Sequence, residues 1–227
     1  MMMYLLLVML PGLVLGGLAS FLTKSTFKKY SRKTVRSGMT GAQAAQTMLE
    51  RNGVHDVKIE EVAGFLSDHY DPRNKTLRLS PAVYQEASLS AIGVACHEAG
   101  HALQHAQGYA ALKMRSALVP VTGVTSSLAM PLLMVGMMLN FKPLLLVGVV
   151  LFSGAVLFSI VTLPVEWDAT ARAKKLMVPA GIVTEAERED SGKVLNAAFL
   201  TYLASTITAI LTLIYYLYRA GLIGGRR

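Results

Sequence analysis

The sequence predicts a mainly α-helical, multi-pass membrane protein with about four transmembrane helices and a small α+β cytoplasmic domain. Three observations carry that prediction. Four uncharged apolar stretches, 2–22, 117–139, 144–163 and 197–217, each match the roughly 20 residues that a helix needs to cross a bilayer. Hydrophobic residues make up 53 % of the 227 and mean hydropathy is +0.45, too apolar for an ordinary soluble chain. The polar stretches between the apolar ones carry cap, turn and alternation signals of a folded domain rather than of linkers.

The first span precedes a basic run, Lys24, Lys28, Lys29, Arg32, Lys33 and Arg36. A cleaved signal peptide carries its positive charge before the apolar stretch; here it follows, which favours a retained anchor with the next segment in the cytoplasm. The run also suits anionic headgroups. Residues 40–51 read as a helix, with Thr40 as N-cap and Gly53 just past the end. Val57 and Ile59 alternate with Lys58 and Glu60 and read as a strand. Asp71-Pro72-Arg73-Asn74 is turn chemistry and joins 64–70 to 75–79 in a small hairpin. Ser80-Pro81 starts a helix with Pro at its first position, and a longer helix follows over about 88–107 with Gly108 as its cap.

Spans two and three form a transmembrane hairpin around Asn140-Phe141-Lys142-Pro143. Pro120 and Pro131 are candidate kinks in the second span. Gly123, Ser127, Gly148 and Gly154 would let helices approach closely. Pro164 opens a short helix bearing Glu166, Trp167, Asp168 and Arg172, which Pro179-Ala180-Gly181 ends. Thr184 and Glu187 then form a capping box before a long helix that becomes the fourth span. The expected organisation is an anchor (1–23), a cytoplasmic region (24–116), a transmembrane hairpin (117–163), a second cytoplasmic helix (164–197), and a last span with its tail (198–227).

The net charge of +8 would also suit nucleic acid, but its distribution points to membrane topology. Residues 24–116 and 164–197 carry 18 of the 22 Lys and Arg, which places both on the cytoplasmic side. The remainder are Lys142, Arg219, Arg226 and Arg227. The lone Cys96 excludes an internal disulfide. It lies about 100° round a helix from its neighbour His97 and reads as a buried thiol.

Chemistry concentrates at His97-Glu98-Ala99-Gly100-His101. Four helical residues turn through about 400°, so both imidazoles leave one face and can share a metal ion, usually zinc. Glu98 beside them can act as general base toward water on an open metal position. A catalytic zinc usually takes a third protein ligand. His105 lies about 6 Å further along the helix, out of comfortable reach. Gln104 and Gln107 exclude the HExxHxxGxxH pattern. Glu166 is the better candidate, because the transmembrane hairpin returns it to the side from which it left; a surface acid at the membrane boundary is the alternative. Asp168 and Arg172, spaced i,i+4, form a surface ion pair, or else Asp168 or Thr170 orients a ligand. His69, Tyr70 and Arg172 are candidate oxyanion donors.

LSDHYDPRNKTLRLS (66–80), AIGVACHEAGHALQH (91–105) and LPVEWDATARA (163–173) resemble the YugP-type neutral zinc metallopeptidases of bacterial membranes. The resemblance runs through nearly the whole chain. It implies a zincin-like catalytic domain with a gluzincin-like site: one Zn2+ held by His97, His101 and Glu166, with Glu98 as catalyst. More distantly, the chain resembles membrane zinc proteases that carry Asp four residues after the ligand Glu; Thr170 stands there in this sequence.

The function expected is a metalloendopeptidase of the bacterial plasma membrane, with peptide or membrane-protein substrates, a lipid bilayer around it and no nucleic-acid partner. A helix with Ser88, Ser90, Gln104 and Gln107 beside its His and Glu residues is too polar for an intramembrane site facing lipid. A non-hydrolytic zinc-binding scaffold or assembly factor is the alternative, although it would not need Glu98. A transporter would place ionisable residues within its spans, and all four lack them.

Overall fold

The computed structural model describes residues 2–224, so Arg226 and Arg227 of the charge distribution lie outside the described residues. A helical turn (Met2–Tyr4) and a π-helical turn (Leu5–Met9) lead into α1 (Leu10–Tyr30). There follow α2 (Gly41–Arg51), β1 (Lys58–Glu61), β2 (His69–Asp71), β3 (Thr76–Leu79), α3 (Pro81–Gln85), α4 (Leu89–Ala106), α5 (Ala110–Met138), α6 (Lys142–Leu176) and α7 (Glu185–Arg219). Four helical stretches, Leu5–Tyr30, Ala110–Met138, Lys142–Leu176 and Glu185–Arg219, are long and apolar enough to cross a membrane.

The chain divides into two compact units. One comprises residues up to Leu18, Lys113–Leu163 and those from Thr201; the other comprises Ala19–Leu112 and Pro164–Leu200. In the first, Leu133, Leu145, Val149, Tyr215 and Tyr216 are buried together, while Leu13, Val124, Met138 and Val150 face outward. That inside-out distribution suits a surface solvated by lipid tails. Backbones approach closely at two glycines: a Cβ on Gly136 would lie 2.6 Å from the Leu145 nitrogen, and one on Gly148 would lie 2.8 Å from the Leu133 side chain. Asn140 turns the hairpin at φ 50°, a left-handed conformation that Asn tolerates.

The second unit has an apolar core of its own, built from Met48, Leu49, Leu77, Leu79, Ile92 and Leu103 with Met177 and Ile182. Thr40 caps α2 in a reciprocal box: Gln43 N donates to its hydroxyl and Thr40 N donates to Gln43 Oε1. Thr184 and Glu187 pair in the same way ahead of α7. The sheet order is β1-β3-β2. β2 and β3 form the expected hairpin, with Tyr70 opposite Leu77, and β1 joins β3 in parallel, with Ile59 opposite Leu77. Of the expected strand over 64–70 only His69 and Tyr70 enter the ladder, which continues to Asp71. Gly64 at φ 121° and Leu66 at φ 55° turn the preceding residues into a loop.

Pro164 corrects the expectation of a separate short helix. It lies inside α6, which runs unbroken from Lys142 to Leu176. Proline removes one helical hydrogen bond, but Val165 and Glu166 beside it are shielded from water, and leaving the helix there would strand more backbone groups than the one bond lost. Pro120 and Pro131 also lie inside an unbroken helix, α5, where surrounding lipid would offer freed backbone groups no other partner; it starts at Ala110, ahead of the apolar stretch.

Candidate metal centre

The site lies within the second unit, where α4 meets α6. Ser88 caps α4, accepting from Ala91 N at 3.2 Å, and the helix is buried almost all round. Burial on every side requires small residues where neighbours come close. A Cβ on Gly100 would lie 2.7 Å from the Ala169 carbonyl oxygen, so only glycine lets α6 approach at that point. Glu166 stands one turn before Ala169, and this approach carries its carboxylate to the two imidazoles.

Glu166 Oε2 lies 3.1 Å from His97 Nε2 and 3.6 Å from His101 Nε2. One donor atom from each of His97, His101 and Glu166 lies within 4.8 Å of the other two. The imidazole centroids are 4.8 Å apart and nearly perpendicular, at 82°. Glu166 is 1 % exposed and His101 6 %. Burial opposes charge on His101, yet Glu166 against it, together with Glu98 and Gln104, draws its pKa above the ordinary imidazole value. Glu98 is buried on the same helix.

The far nitrogens of both rings are occupied. His101 Nδ1 lies 3.0 Å from Gln104 Oε1. The amide is oriented by its own nitrogen, which donates to the Val165 carbonyl and to Asp168 Oδ2, each at 2.8 Å. Oε1 can only accept, so Nδ1 of His101 is the donor in that bond, which leaves Nε2, on the Glu166 side, as the nitrogen available to a metal. His97 Nδ1 lies 3.2 Å from Thr170 Oγ1, which can accept in the same way. Two imidazoles with their second nitrogens fixed, converging on a carboxylate, match the donor set of a three-ligand zinc site. The residues therefore fit the ion.

Asp168 forms the i,i+4 ion pair with Arg172 and accepts from Gln104 rather than from either imidazole; of the two residues considered for orienting a ligand, Thr170 is the one against His97. Arg172 also reaches Gln107 Oε1 and stacks 5.8 Å from the Tyr109 ring. Tyr70 Oη lies 2.9 Å from His105 Nδ1. Burial, with Asp56 and Asp71 adding, pushes the Tyr70 phenol up to about 12, so it stays protonated at neutral pH. His69 is exposed, with Nδ1 2.8 Å from the Ser67 carbonyl oxygen. Cys96 is fully buried, which raises its thiol to about 12. Trp167, next to Glu166, is exposed and meets Phe199 edge-on at 5.3 Å.

Sequence reasoning missed two residues here. It used Gln104 to exclude another motif and as one polar residue of the helix, and passed over Gly100. The signal for Gln104 was present: a residue three positions after His101 shares its helix face. The need for glycine at 100 depends on α6, 69 residues away by the His97–Glu166 pair.

Fold and site together define a helical membrane protein with a two-histidine, one-carboxylate metal-binding pattern. The model of the family described as "Putative neutral zinc metallopeptidase" matches residues 4–221, and the chain belongs to that family. It is 45 % identical over 198 residues to "Putative membrane protease YugP" of Bacillus subtilis (strain 168), covering 87 % of this chain and 88 % of that protein. No solved structure matches the chain.

Proposed function

We propose that this protein is a membrane-anchored zinc endopeptidase of the bacterial plasma membrane. In this reading His97, His101 and Glu166 hold one zinc ion, and the zincin-like domain that carries them faces the cytoplasm. The observation that carries the reading is the convergence of those three donors with each imidazole's other nitrogen already engaged. When bound, zinc lowers the pKa of a coordinated water toward neutrality and polarises a carbonyl. Glu98 takes a proton from the attacking water and returns it to the leaving amine as the C–N bond breaks. Gln104, steadied by Asp168, and Thr170 hold the two imidazoles in the tautomer and orientation that ligation needs. β2 is an edge strand, and its free side can take an extended peptide by strand addition. Substrates are then peptides or membrane-protein segments near the bilayer, and the 18 basic residues of 24–116 and 164–197 support the cytoplasmic side.

The test is cleavage of a peptide library by zinc-loaded protein in nanodiscs, with Glu98→Gln as control. The variant should keep its zinc and lose about 10²–10⁴-fold in kcat. Zinc-loaded wild type as inactive as Glu98→Gln on every peptide would favour a zinc-binding scaffold.

A further inference from the structure

The loop between β1 and β2 carries two large apolar residues that the catalytic reading does not use. Phe65 is 64 % exposed and Leu66 is 38 % exposed. The backbone is committed to presenting them. Gly64 at φ 121° adopts a conformation that L side chains rarely reach, and Leu66 holds φ 55°, a strained geometry for a γ-branched residue. Downstream, Asp68 pins the loop by accepting from Ser80 N at 2.7 Å. Strain and a fixed base spent on exposing a Phe-Leu pair to water have no structural return.

The neighbour of that pair shows what covers it. The Phe65 ring meets Phe27 of α1 edge-on, with centroids 5.8 Å apart. Phe27 lies five residues, about 7.5 Å of helix, beyond Leu22 at the end of the first uncharged apolar stretch. The polar layer on each side of a bilayer is about 5–8 Å thick. Around this level α1 exposes Lys24, Lys28 and Lys29, the basic complement of anionic headgroups. Above it the outward surface of α1 is apolar, with Phe21 67 % exposed. The loop tip thus continues a lipid-facing surface at the depth where aromatic side chains are favoured.

We propose that the 64–67 loop is a membrane-inserting tip: Phe65 and Leu66 sit in the headgroup layer of an anionic bilayer beside α1. The occupant of this surface is lipid. Because Asp68 and β2 follow directly, insertion holds the free edge of β2 at the membrane surface.

The test uses full-length protein in vesicles of phosphatidylethanolamine and phosphatidylglycerol. Phe65→Cys, Leu66→Cys and, as control, Gln46→Cys on exposed α2 are each labelled with an environment-sensitive fluorophore. The native Cys96, fully buried, does not compete. Labels at 65 and 66 should emit to the blue of the label at 46. They should be quenched by shallow doxyl lipids and shielded from aqueous iodide, with the reverse at 46. Position 66 reads the same depth without disturbing the Phe27 contact. Iodide quenching at 66 equal to that at 46 overturns the proposal in favour of a solvated loop. Shielding from both quenchers overturns it in favour of a protein cover, whether substrate, partner or second copy.

Discussion

The two units hold their helices together in different ways. In the unit containing the α5–α6 hairpin, most hydroxyls bond locally: Thr122, Ser153 and Ser159 each return to a carbonyl three or four residues earlier, and the longer-range bonds, Thr206 to the Ser159 carbonyl and Tyr215 to the Met137 sulfur, are long, at 3.4 and 3.7 Å. Helices there meet by shape, with Gly136 and Gly148 admitting close neighbours. In the unit containing α4, polar side chains cross long sequence separations: Gln104 reaches Val165 and Asp168, and Thr170 reaches His97. Shape packing suffices where a helix needs only to stay beside another. Bonding across elements appears where individual atoms must hold fixed directions, because an imidazole lone pair a few tenths of an ångström astray cannot share a ligand position.

Substitutions can break that contrast in graded steps. The largest effect belongs to Glu166→Ala, which leaves two imidazoles for an ion that needs three protein ligands. Zinc content by mass spectrometry after dialysis should fall to background, with cleavage lost alongside. Gln104→Leu comes next: removing the acceptor on His101 should weaken zinc binding by about 10–100-fold, measured by chelator competition, while the fold survives by circular dichroism. Unchanged affinity would mean that His101 is held by packing alone, as helices are in the other unit. Gly148→Val tests the opposite side. Overpacking against Leu133 should lower stability by about 1–3 kcal/mol, read as a lower Tm in detergent, with zinc affinity unchanged in the folded fraction. The smallest effect is expected of Tyr70→Phe, which removes the bond to His105 and should cost about 0.5–1.5 kcal/mol with little loss of kcat. A hundredfold drop in kcat at normal zinc content would instead make Tyr70 an oxyanion donor.

The same contrast explains how much could be read in advance. The four helices long and apolar enough to cross a membrane were legible because apolar length is a one-dimensional signal, and the HExxH helix because its spacing is local. The capping box at Thr184 and the β2–β3 hairpin carried short-range turn and cap chemistry. Features that depend on a distant partner were not legible: the parallel pairing of β1 with β3, the continuity of α6 through Pro164, and the requirement for glycine at 100. Gln104 falls between these cases. Its position on the helix face was visible, but its use depended on Val165 and Asp168 arriving from α6.

Trp167 offers a consequence of another kind. It is the sole tryptophan of the chain, it is exposed, and one peptide bond separates it from Glu166. The protein thus contains its own optical gauge. With excitation confined to indole, the purified protein emits from one place, the residue that follows Glu166 on α6. Loading and stripping of the ion can be followed in purified protein in nanodiscs as a change in emission, with no label added. Wild type and Glu166→Ala then differ in a single observable, since only the first should respond to titrated zinc.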